Sequence, residues 1–91
     1  MINQTKLKKE EFIDIVRFAS KDRQSLCDFF EVVLSDAEFE TLSIRMEMFK
    51  RLTAGEGQRE IAKDLGAGIE TVNRAAKALR DYPIIKKLIK L

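Results

Sequence analysis

The sequence of 91 residues predicts an all-α protein of six helices. Three observations carry that expectation. Apolar residues recur at i, i+3 and i+4 in one segment after another, no segment alternates apolar and polar with period two, and capping or glycine signals separate the periodic stretches. A chain of this size makes one domain, residues 1–91, with a modest core that a second copy would complete.

The elements follow in order. Residues 1–9, MINQTKLKK, have no apolar periodicity and are expected to form a frayed arm, with Lys6, Lys8 and Lys9 either solvated or touching phosphate. From Glu10, the spacing of Phe12, Ile15, Val16 and Ala19 marks one apolar stripe and a first helix ending near Ser20. A second helix from about Asp22 carries Leu26, Phe29, Phe30, Val33 and Leu34 at i, i+3, i+4, i+7 and i+8. So complete a stripe on a short helix predicts burial from more than one side, the second side being another subunit.

Ser35-Asp36-Ala37-Glu38 is a capping box, in which Ser35 accepts from an amide near Glu38 while Glu38 reaches back. The third helix runs from there to about Thr53 and is expected to bury Phe39, Leu42, Met46 and Phe49 as the central strut. Ala54-Gly55-Glu56-Gly57 breaks it, and its glycines allow the chain to redirect into Gln58. Two short helices then span Gln58 to Leu65 and Ile69 to Arg80, and Pro83 starts a last helix through Ile85, Leu88 and Ile89.

The stretch 58–80, QREIAKDLGAGIETVNRAAKALR, organises the rest. Small or apolar residues at Ile61, Ala62, Leu65, Ile69, Val72, Ala75 and Ala76 let two helices cross closely. Gly66 falls where the first must stop with positive φ, and Gly68 lies just before the second begins. Glu70, Thr71, Asn73, Arg74 and Lys77 project outward. This is a helix-turn-helix pattern, whose second helix enters the DNA major groove. The domain therefore divides into dimerisation helices over 1–57, the helix-turn-helix over 58–80 and a C-terminal helix over 81–91.

Charge supports the same division. Residues 1–57 hold 9 Lys and Arg against 11 Asp and Glu, net −2, whereas residues 58–91 hold 8 against 4, net +4. A basic half that contains the helix-turn-helix suits DNA binding, and a merely solvated basic face gives the same count.

Several functions are disfavoured. The chain has no histidine, and no nucleophile elbow, Walker loop or dinucleotide fingerprint replaces it, so no enzyme and no metal site are expected. The one cysteine, Cys27, allows no internal disulfide or cysteine-based zinc site and is expected in a helix core as a small apolar residue. No apolar run approaches the roughly 20 residues that span a bilayer, and the N-terminus lacks a signal-peptide core, so a cytoplasmic protein without membrane partners is expected.

The segment from Leu34 to Leu79, above all QREIAKDLGAGIETVNR with LSIRMEMFKRL upstream, resembles the bacterial Trp repressor family. The resemblance is most specific in LGAGI followed by an arginine five residues after Ile69, and covers about half of the chain. It implies a six-helix Trp-repressor-like fold in an intertwined homodimer, with two reading heads meeting successive major grooves of a palindromic double-stranded operator roughly 34 Å apart. Transcriptional repression is the implied function.

For DNA, Gln58 and Arg59 match positions at the start of the first motif helix, where amides and a guanidinium hold phosphate or approach guanine. Gly68, Ile69, Glu70, Thr71 and Asn73 match the N-terminal end of the recognition helix. Glu70 departs from the small residue usual there, which leaves the operator sequence open. For a ligand, Arg45 and Arg74 match the two arginines that enclose the indole of tryptophan, and Ser35 matches a threonine that helps to hold its carboxylate. Pairing of both arginines with nearby acids is the alternative. The run Arg74-Ala75-Ala76-Lys77-Ala78 departs from the family, which places glycine after the arginine and serine four residues beyond it. Ala75 crowds the ring and Ala78 lacks the hydroxyl that would bond the ligand's amine, a loss on the order of 1.5–3 kcal/mol. The expected co-repressor is therefore L-tryptophan bound weakly, or a related indole or aromatic compound. A ligand-independent DNA binder and a helical protein-interaction module remain open beside it.

Overall fold

The computed structural model describes residues 4–90, with side chains from Lys8 to Lys90. It is helical throughout: α1 (Gln4–Ala19), α2 (Arg23–Val33), α3 (Asp36–Thr53), α4 (Gln58–Leu65), α5 (Ile69–Asp81) and α6 (Ile84–Ile89). No described helix is long and apolar enough to cross a membrane. The chain divides into two compact units, one up to Phe39 and one from Glu40 onward.

In the first unit, α1 packs on α2 through an aromatic seam. Phe12 and Phe29 stand 6.1 Å apart, Phe29 and Phe30 5.5 Å, and Phe30 meets Phe39 edge-on at 6.5 Å. Such offset and edge contacts suit the ring quadrupole. Yet among its described residues only Ala19 is buried, while Phe18 is 72% and Val32 85% exposed. Asp22 caps α2 by accepting from the Ser25 amide at 2.7 Å and the Ser25 hydroxyl at 2.9 Å.

Two expectations fail here. The helix begins at Gln4, so the described part of the arm, including Lys8 and Lys9, is helical, because residues 4–11 are mostly good helix formers that extend an established helix even without an apolar stripe. Residues 1–3 and the side chain of Lys6 lie outside what is described. Cys27 is exposed, since it sits beside the α2 stripe and not in it. Within one chain no residue of α2 is buried, which leaves its complete stripe open on the side expected to meet another subunit.

The second unit holds the principal core: Met48, Ile61, Ala62, Val72 and Ala75, with Ile44, Phe49, Leu52, Leu65 and Ala67 packed against it. Here α3 corrects another expectation. Phe39, Leu42 and Met46 are exposed, and Met48 is the buried residue. The helix carries two apolar rows, and the row that enters this core is Ile44, Met48 and Leu52, four residues apart. Its capping box is formed as the sequence predicts: the Ser35 amide donates to Glu38 Oε1 at 2.9 Å and the Glu38 amide to Ser35 Oγ at 3.1 Å.

Candidate functional site

The helix-turn-helix rests on two glycine stops of one design. At the end of α3 the Gly55 amide donates to the Leu52 carbonyl at 3.0 Å and Glu56 to Arg51 at 3.1 Å. At the end of α4 Gly66 donates to Lys63 at 3.3 Å and Ala67 to Ala62 at 2.9 Å. Both are Schellman motifs, and both glycines take the left-handed conformation they require, with φ 87° and 64°. Ala67 also packs against the core cluster that includes Ala62.

The turn delivers α5 with a sharp division of faces. Val72 is wholly buried, and Ala75 and Leu79 nearly so, at i, i+3 and i+7, while Glu70, Thr71, Asn73, Arg74 and Lys77 are exposed. Ile69 at the head of the helix is 41% exposed. Glu70 lies in the first turn, where the helix dipole favours an acid, which gives it a local reason to be there apart from any base contact. Gln58 and Arg59 are exposed in the first turn of α4, behind Gly57, which caps the helix with no side-chain bond. Gly68 caps α5 in the same bare way. Amides at such ends suit an anion.

Behind α5 lies a cavity of about 240 Å³ lined by Arg45, Met48, Phe49, Thr71, Arg74, Ala75 and Ala78. The structure thus brings together four of the five residues expected at a ligand, and adds three. Met48 and Phe49 follow Arg45 by three and four residues and so share its face of α3, a relation the sequence held but did not announce. Thr71, expected toward DNA, stands at this cavity, because it precedes Arg74 and Ala75 by one turn. Ser35 belongs to the first unit, where its hydroxyl and amide serve the cap of α3.

A further residue had no sequence signal. Arg51 donates through Nε to Glu56 Oε1 at 2.8 Å and through Nη2 to Asp64 Oδ2 at 2.7 Å, and its Nη2 also pairs with Glu56 Oε1 at 2.7 Å. These bonds hold its guanidinium protonated well beyond its already high ordinary range, Glu56 first and Asp64 second.

A family model described as Trp repressor protein matches residues 8–87. The chain belongs to the Trp repressor family. The match runs from α1 into α6 and so takes in both compact units, well beyond the α3 to α5 stretch that carried the resemblance. The all-helical structure agrees with the Trp repressor fold. This is a family of DNA-binding transcriptional regulators rather than of enzymes.

Proposed function

We propose that this chain is a sequence-specific transcriptional repressor that binds double-stranded operator DNA as a cytoplasmic homodimer. The observation that carries the reading is the division of α5, whose buried Val72, Ala75 and Leu79 anchor it while its polar face is open along the whole helix. In this reading Gln58 and Arg59 hold phosphate or guanine. Gly68, Ile69, Glu70, Thr71 and Asn73 meet the groove, with Thr71 shared between groove and cavity.

The dimer is supported by the first unit. A pair of helices with only Ala19 buried among its described residues cannot offset the entropy of ordering itself, and the exposed Phe12, Phe18, Val32 and Val33 supply what a partner would cover.

The cavity supports a small aromatic co-repressor. Met48, Phe49, Ala75 and Ala78 give an apolar lining, and Arg45 and Arg74 supply cations for a ring face and a carboxylate. Selection from a random duplex pool tests the whole reading. The expected product is a palindrome with half-sites centred about 10 bp apart. A pool from which nothing is enriched would contradict it.

A further inference from the structure

Arg51 ties two carboxylates of the second unit to the end of α3. It leaves the last turn of α3, is 18% exposed, and reaches both the α3–α4 turn at Glu56 and the far end of α4 at Asp64. Each contact spans a weakness. Glu56 lies between Gly55, in the left-handed conformation, and Gly57, which caps α4 without a side-chain bond, so the turn has little stiffness of its own. Asp64 precedes by two residues the Gly66 stop that launches α5. A planar fork that holds both carboxylates fixes the direction of α4 where a single-point contact would not.

We propose that Arg51 is a positioning residue for DNA recognition, a clamp that sets α4, and with it the phosphate-facing Gln58 and Arg59, in the attitude that fits the duplex. This rests on the DNA-binding reading above. The guanidinium itself is occupied by its two carboxylates and makes no phosphate contact. Pre-organisation of this kind raises affinity by removing an ordering cost from binding.

The charges allow a test in which two explanations differ in sign. Glu56→Gln combined with Asp64→Asn removes two negative charges beside the DNA-facing helix, so simple electrostatics strengthens binding. Loss of the clamp weakens it. With a duplex selected by the wild type, the double variant is expected to bind about threefold to tenfold more weakly, with an unchanged slope of log K against log salt. Its thermal midpoint is expected to move by less than about 5 °C, since both carboxylates are exposed and ion pairs with exposed partners contribute little to stability.

Without DNA, the Ile61 amide, bonded to the Gly57 carbonyl at 3.0 Å, and the Glu56 amide should exchange with solvent faster than in the wild type. Arg51→Lys, which keeps the charge and loses the fork, carries the same expectations should the double variant unfold. Affinity equal to or tighter than the wild type's, or unchanged exchange at both amides, overturns the clamp. A wild type that selects no duplex overturns the functional reading instead, and amide exchange then still decides whether Arg51 orders α4.

Discussion

Arg45 of α3 and Arg74 of α5 line one cavity, and no carboxylate lies among the residues that share it. Two guanidiniums in one cavity repel each other and are best accommodated by an anion or a ring face between them.

The first prediction concerns what that anion carries. Ala78 lines the cavity with a methyl group, and Thr71 supplies the one hydroxyl side chain. A ligand ammonium therefore finds two cations and little to accept its protons. Calorimetry should find tryptophan weak on the wild type, and Ala78→Ser should tighten it about tenfold to hundredfold, the worth of one hydrogen bond to a charged group. No heat from either tryptophan or an indole-3-carboxylate, together with no gain in Ala78→Ser, would remove the cavity from the account.

A second prediction follows from the cap of α3. The Ser35 amide, and then its hydroxyl, hold the Glu38 carboxyl below its ordinary value of 4.5. A carboxylate with a depressed folded-state pKa stabilises the fold above the unfolded value, and that contribution is lost as pH falls through the folded one. Helicity measured by circular dichroism should therefore fall with acid below about pH 4.5, and Glu38→Gln should flatten part of that fall. Asp22 contributes in the same direction, chiefly through its bond from the Ser25 amide. Ser35→Ala should cost about 1 kcal/mol at neutral pH, as loss of an N-cap does. Stability rising on acidification would contradict the cap.

A third prediction isolates backbone strain. A Cβ at Gly66 would meet nothing within 4 Å, so the cost of Gly66→Ala comes from its φ of 64° alone. Urea unfolding at fixed protein concentration should show a loss of about 1–2 kcal/mol for alanine and less for Gly66→Asn, because asparagine tolerates the left-handed region. Equal costs for both would point to packing instead.

Which parts were legible in the sequence follows from how local their causes are. The Ser35 and Glu38 cap, the Gly66 stop and the bounds of α4 are each written in a few adjacent residues, and the structure has them as expected. The burial of α3 was not legible, because Ile44, Met48 and Leu52 compete with Phe39, Leu42 and Met46 and only tertiary packing selects between the rows. Arg51 was hidden for a related reason: its partners lie 5 and 13 residues away, at no helical spacing. At the cavity, matched motif positions led to Arg45 and Arg74, while Met48 and Phe49 needed only a helical-wheel reading from Arg45.

The central claim is that α4 and α5 bind DNA through phosphate and groove contacts, and its most direct measurement is the salt dependence of binding to a selected duplex. For the wild type, log K should fall linearly and steeply with log salt, and Arg59→Ala should weaken binding and reduce the slope by about 1 if that guanidinium meets a phosphate. Binding that ignores salt, or an Arg59→Ala variant with the affinity and slope of the wild type, would contradict the account.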